Sequence, residues 1–319
     1  MLTVDKMDTF CQGIAICDLP EVFRDAIHVA RELGLSYIWI DALCIIQHGD
    51  DGQDWLRESA LMRSVYGNCH VNIAATSASN VHKGLFSKLE HYSGGFYARV
   101  TTAKFCTAQC FFHSYVHSAA STDTHLATRA WTFQERLLPA RTIFLGDTGI
   151  FWECRSSTRS EFLPQSFPWV TDRTRLVRPE NEGWNWQHIV GEYSRANLTN
   201  PRDRLPALAG IARRQYEATG HHYLAGMWKE HLAHQLLWTV AGKRRQRPSW
   251  RAPTWSWASV DGGAYYRTYW YHDTFLREAK HYVQVLDVWT TSVGPDPFGQ
   301  VSNGLLSLAC SALMHAPAS

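Results

Sequence analysis

Asp41, Cys44, Gln47, His48 and Glu58 bring two carboxylates, a thiol, an amide and an imidazole into one short stretch of the chain. Paired carboxylates do acid/base work and stabilise developing positive charge, whereas a thiol becomes a nucleophile only beside a base. For Cys44 the adjacent base is His48, and the bland alternative is a buried, inert thiol. Trp55 adds a flat apolar face. A second group comes from the block Thr128 to Pro139, where Arg129, Trp131 and Glu135 either line the same pocket or pair among themselves.

The elements that must position the first group are a strand, a loop and a helix. Tyr37 to Ile46 is rich in aromatic and β-branched residues without Gly or Pro, which predicts a strand buried on both faces. Asp41 and Gln47 are its polar exceptions and share a face if no bulge intervenes, with Cys44 on the other. Burying a carboxylate is costly unless it is hydrogen-bonded, and the carboxyl ends of strands in an open α/β sheet are where ligands gather. His48, Gly49, Asp50, Asp51 and Gly52 form a polar loop at that end. With Asp54 as N-cap, Trp55, Met62, Val65 and Tyr66 fall at helical spacing. Glu58 then projects from the first turns of a helix whose N-terminus faces the loop.

Upstream, Asp18 to Glu21 reads as a helix start, Phe23, Ala26, Ile27, Ala30 and Leu33 as its apolar stripe, and Gly34 as its stop. Cys69 to Thr76 is a second short strand. Helix, strand, helix, strand argues for an α/β fold: a doubly wound parallel sheet with helices on both faces. From 88 to 128 the chain turns irregular and β-rich. Thr128 to Pro139 predicts a short helix ended by Pro139. Thr142 to Leu145 and Ile150 to Cys154 predict a hairpin. Residues 156–183 carry Pro164, Pro168 and Pro179 and read as a linker or surface excursion. Helices are expected over Trp186 to Tyr193, Pro201 to Arg214 and Leu224 to Leu237, followed by a β-rich tail from Pro253. The domains expected are therefore a core over 1–155 and a mixed α+β region over 184–319.

The formal net charge is +2, from 31 basic and 29 acidic residues, and the one compact basic run, Lys243 to Arg247, reads as a solvated loop. No nucleic-acid partner is expected from that balance. No window is apolar enough to span a bilayer and the amino end lacks the pattern of a charged region followed by an apolar signal core, so a cytoplasmic protein without a membrane partner is expected. The eight scattered cysteines favour reduced thiols. Fourteen Trp point to an aromatic core or a flat-ligand surface, the core by default.

The runs LPEVFRDAIHVARELGLSYIWIDALCIIQ, DWLRESALMRSVYGN, TRAWTFQERLLPARTIF, WEC, EYSRANLTNPRDRLPALAGIA and RAPTWSWASVDG resemble, in that order, the signature blocks of the fungal heterokaryon-incompatibility (HET) domain family and its usual C-terminal continuation. The resemblance spans about residues 19 to 262. It implies a role in non-self recognition and programmed cell death, and a TIR-like core. Enzymatic TIR domains break the glycosidic bond of NAD with a glutamate in a W-x-x-E setting, and Trp55-Leu56-Arg57-Glu58 is similar in sequence and placement. The resemblance thus makes Glu58 the first catalytic expectation and Asp41 the second, with Cys44, Gln47, Trp55, Arg129, Trp131 and Glu135 around a substrate. NAD would be substrate rather than cofactor, and no cofactor is expected. Family members open with a strand of the form LSYxWG, which residues 1–18 lack. Either the chain is cut short, or another segment completes the sheet, or this member has left the ancestral task.

A metal is not expected. Cys106, Cys110, His113 and His117 make one stripe only if helical, and a strand would turn cysteines and histidines to opposite faces. His231 and His234 do not form an HExxH motif. Dinucleotide, phosphate-loop and nucleophile-elbow motifs are absent. Two further readings stay open: a small-molecule enzyme of fungal secondary metabolism, cyclase- or isomerase-like, and a non-catalytic signalling module that works by assembly as a homo-oligomer.

Overall fold

The computed structural model describes residues 1–76, 78, 80, 82–86, 95–101, 107–113, 124, 126–146, 149–161, 185–240, 248–266 and 283–310. These residues divide into two compact units. The first draws on Met1–Glu58, Val65–Thr128 and Pro139–Trp169, the second on Ser59–Ser64, Arg129–Leu138 and Val170–Ser319. Most of the expected linker, from residue 162 on, lies outside the described residues.

The first unit opens with α1 (Met7–Gln12) and α2 (Glu21–Glu32). Gly34, at φ 70°, stops α2 as its sequence predicts, and Leu35 N–H reaches back to Ala30 O at 2.9 Å. After α3 (Asp41–Cys44) and α4 (Gln53–Asn68) comes β1 (Asn72–Ala75). Strands β2 (Gly95–Thr101) and β3 (Thr107–His113) pair with each other, antiparallel. Cys110 and His113 thus lie on a strand, while Cys106 and His117 fall outside the described residues. Strands β4 (Arg141–Gly146), β5 (Gly149–Cys154) and β6 (Thr158–Ser160) follow, and β4 with β5 is the predicted hairpin.

The sheet order is β1-β4-β5-β6, with β1 and β4 parallel and the other two pairs antiparallel. The α/β class holds, as a mixed sheet with one parallel pair. Alternation along β1 and β4 sends side chains to both faces. Ile73, Ala75, Ile143 and Leu145 pack with Leu85 against Val22, Phe23, Ala26 and Val29 of α2. Ala74, Phe144 and Phe151 form a separate cluster with Leu126. Burying Leu85 and Leu145 contributes roughly 1.5–3 kcal/mol each.

One prediction fails here. Tyr37 to Ile46 is not a strand: residues 37–40 belong to no helix or sheet, and Asp41–Cys44 turn into α3. Asp41 and Ala42 are weak strand formers, and the Asp41 carboxylate accepts Ala42 N–H at 2.7 Å, which starts the turn. Residues at the amino end add their own bonds. Leu2 N–H donates to Ala42 O (2.8 Å), Gln47 N–H to Leu2 O (2.9 Å) and Val4 N–H to His48 O (3.2 Å). Leu2 is buried in doing so.

In the second unit α5 (Thr132–Leu137) and α6 (Trp186–Tyr193) lie where predicted. The expected helix Pro201 to Arg214 divides into a single 3-10 turn, Pro201–Arg204, and α7 (Pro206–Thr219). Gln134 ties α5 to α7: its Nε2 donates to Pro206 O (3.2 Å) and its Oε1 accepts Gly210 N–H (2.9 Å). Gly210 is required there, since a Cβ would collide with Gln134 Oε1.

The helix expected over Leu224 to Leu237 opens instead as a hairpin, β7 (Tyr223–Leu224) and β8 (Met227–Trp228), and turns helical only at a 3-10 turn (Lys229–His231) and the short α8 (Leu232–Gln235). Ala225 and Gly226, at φ 45° and 92°, make the two-residue turn that favours a hairpin over a helix. Gly226 O accepts both the Trp186 and Trp257 indole N–H groups at 2.8 Å, and Trp186 packs edge-on to Trp228 with centroids 5.1 Å apart. Three of the fourteen Trp thus build an aromatic core. Among the described residues, the β-rich tail expected from Pro253 holds β10 (Ala264–Tyr266), which pairs with β9 (Trp238–Val240) from ahead of it, and β11 (Val283–Ser292) paired with β12 (Val301–Cys310). Arg251 fastens the intervening loop through Ala258 O (2.7 Å), Val260 O (2.6 Å) and Asp261 Oδ1 (2.7 Å).

Candidate functional site

Around the start of α4 the chain builds an acidic, hydrogen-bonded loop. Asp50 accepts Asp54 N–H (2.7 Å) and Gly52 N–H (3.1 Å), and the amide of Asp54 first, then that of Gly52, holds the Asp50 carboxyl below its ordinary value. Asp51 and Gly52 sit at φ 54° and 75°. Asp50 therefore caps the helix, not Asp54 as the spacing predicted: Gly52 occupies the N-cap position and lends no side chain.

Asp54 is instead the buried acid of the site, at 8% exposure. Its Oδ2 accepts Ile46 N–H at 2.8 Å, and its Oδ1 pairs with the Arg57 guanidinium. The segment before the loop is thereby fixed to the first turn of α4. Arg57 also donates through Nε to Glu58 Oε1 at 3.2 Å. The Glu58 side chain keeps 23% of its surface exposed and Arg57 keeps 69%. Glu58 is thus half-sheltered, with one ion pair, on the second turn of α4.

The other residues expected nearby are distributed as follows. Asp41 is exposed and engaged with Ala42 N–H; Cys44 is exposed, so it is not the buried thiol of the bland reading. Gln47 turns inward on its own backbone, with Nε2 donating to Asp41 O (3.3 Å) and Ile45 O (3.0 Å). Asp41 and Gln47 are not strand neighbours sharing a face, because α3 separates them. Trp55 is half-buried.

Arg129, Trp131 and Glu135 fall in the second unit, while Asp41, Cys44, Gln47, Trp55 and Glu58 fall in the first. Arg129 is exposed and bridges to Asn197 through its backbone, with Ala130 N–H donating to Asn197 O at 2.9 Å. Trp131 Nε1 donates to Asp203 Oδ2 at 3.4 Å, and Glu135 is half-buried. Asp203 and Arg204 escaped the sequence reading. Burial pushes the Asp203 carboxyl above its ordinary value against the Trp131 bond. Burial first, then neighbouring Arg251, lowers the Arg204 guanidinium to about 10. Its Nη2 reaches Gly262 O at 2.9 Å, and the group lies 5.3 Å over the Trp257 ring. The signal was an acid flanked by two arginines immediately before an apolar helix, in PRDRLPALAG.

Among the described residues no cluster of His, Cys, Asp and Glu has the makings of a metal site, and no helix is long and apolar enough to cross a membrane. The geometry defines an α/β protein whose acid-lined loop presents a sheltered glutamate beside an arginine. Over residues 3–135 the chain is similar to the family whose model is described as Heterokaryon incompatibility protein (HET). No curated protein and no solved structure matches the chain.

Proposed function

We propose that this chain acts in the cytoplasm in fungal non-self recognition and programmed cell death, and that it cleaves NAD at the glycosidic bond through Glu58. The observation that carries the reading is the setting of Glu58: a Trp-x-x-Glu segment on the second turn of α4, half-sheltered and ion-paired only to the exposed Arg57 among the described residues. As nicotinamide departs, positive charge gathers on the ribose ring, and a fixed carboxylate offsets it. Asp41, Cys44, Gln47 and Trp55 complete the proposed contacts to substrate, and NAD is consumed rather than held as a cofactor.

The test is incubation of the purified full chain with NAD, following nicotinamide and ADP-ribose chromatographically. Glu58→Gln keeps the size of the side chain and removes the charge, so turnover should fall about 10²- to 10³-fold, as for other groups that stabilise transition-state charge. Release of nicotinamide at the wild-type rate by the variant sinks the assignment.

A further inference from the structure

Residues 36–40, Ser-Tyr-Ile-Trp-Ile, are rich in aromatic and β-branched residues and, among the described residues, pair with no strand. Among the described residues, the N–H groups of residues 36–41 donate to no acceptor and the C=O groups of residues 36–39 accept no donor. Ile40 is already extended, at φ −132° and ψ 119°. Tyr37 is 93% exposed, Leu33 48% and Ile38 37%. Protein edges of this kind are ordinarily blunted by a lysine, a proline, a bulge or shortness. The β6 edge has such protection, being three residues long with Arg159 exposed. The run 36–40 has none.

We infer that residues 36–40 are a docking edge for a second copy of this chain, pairing antiparallel with the same run. The sequence favours itself as partner. From Leu33 to Ile40 there is no charge. An antiparallel register centred on Ile38 sets Tyr37 opposite Trp39, Ser36 opposite Ile40 and Leu35 opposite Asp41. The two Asp41 carboxylates are then separated by the length of the run, whereas a parallel pairing would stack them. Trp39 packs edge-on to Tyr66 at 5.7 Å, so the exposed Tyr37 ring of one copy meets an aromatic surface already anchored in the other. The pairing is isologous, closes after two copies and satisfies the backbone groups along one edge of the run, those of alternate residues.

The experiment is sedimentation velocity on the full chain from about 1 μM to several hundred μM, with amide hydrogen exchange at both ends of that range, since transient assemblies with small interfaces dissociate on dilution. The expected result is a mass rising from one copy to two, with exchange at alternate residues of the run 36–40 slowing only at high concentration. Tyr37→Lys puts a charge where the rings meet and Ile38→Pro removes a donor from the ladder. Both sites are on the surface, so both variants should unfold at the wild-type temperature while pairing at least tenfold more weakly. A wild type that stays one copy throughout overturns the proposal. So does a dimer that survives both substitutions but is lost with Trp289→Ser on the exposed β11–β12 face. Amides at 37–40 already slow at 1 μM would mean that the edge is covered within one copy, which also overturns it.

Discussion

Replacing Asp54 by alanine isolates what holds the loop before α4 in place. Asp54 Oδ2 is the acceptor for the Ile46 amide at 2.8 Å, from a side chain that is nearly enclosed. A hydrogen bond to a charged acceptor contributes about 1.5–3 kcal/mol, and its loss leaves a half-buried donor without a partner. The ion pair to Arg57 adds little, because the guanidinium stands mostly in water. Asp54→Ala should therefore cost about 2–3 kcal/mol locally, almost all of it from the amide bond. At tenfold per 1.4 kcal/mol, the Ile46 amide should exchange about 30- to 150-fold faster. Asp54→Asn keeps a neutral acceptor and should recover more than half of the loss, while Arg57→Ala should change exchange at Ile46 by less than about fivefold. The assay is amide exchange by NMR on the three variants. An Asp54→Ala protein whose Ile46 exchanges within threefold of wild type refutes the reasoning, as would an equal effect of Arg57→Ala.

Three other outcomes follow from the geometry. At Gly226 a Cβ would stand 2.8 Å from Trp257 Nε1 at a φ of 92°, so Gly226→Ala should combine strain and overpacking to destabilise the second unit by about 3 kcal/mol, read as a lower urea midpoint by Trp fluorescence. Burial raises the Cys154 thiol, but hydrogen bonds from Ser156 and Ser157 outweigh it and bring the group down to about 6; alkylation of Cys154 should inflect near that pH, and Ser156→Ala with Ser157→Ala should move the inflection towards 9. Partial burial, then the His221 ring 4.9 Å away and His234, lower the His231 imidazole against Glu230. Its folded value lies below its unfolded one, so the unfolded chain binds the extra proton and stability is lost as pH falls below about 6.5; the urea midpoint of wild type should drop there, and His231→Gln should flatten the profile.

Local signals decided which parts of this fold were legible in the sequence. α2 was readable because its apolar stripe ends at a glycine that can adopt φ 70°, and the β4–β5 hairpin because its strands flank a turn-forming run. The hairpin at Ala225 and Gly226 was missed: the periodicity of Trp228, Leu232 and Leu236 reads as a helix and masks the two-residue turn between Tyr-Leu and Met-Trp. Tyr37 to Ile46 failed for a different reason. Its composition is that of a strand, but a strand exists only with a neighbour to bond to, and Leu2 and Val4 bond to Ala42, Gln47 and His48 instead. At the candidate site the acids were found and their work was misassigned. Asp50 and Asp54 are both short carboxylates next to the helix start, and only coordinates reveal that the first caps while the second holds Ile46. Asp203 and Arg204 stayed hidden because their environment comes from Trp131, Trp257 and Arg251, all distant in sequence.

The shared carbonyl of Gly226 gives the second unit an intrinsic optical signature. Two indoles donate to one oxygen, and a third ring, Trp228, stands edge-on 5.1 Å from Trp186, so their transition dipoles couple. Far-ultraviolet circular dichroism, at the strong indole band, should carry an exciton couplet that vanishes when this turn opens and survives any rearrangement confined to the first unit. Refolding of one half of the molecule can therefore be followed without a label.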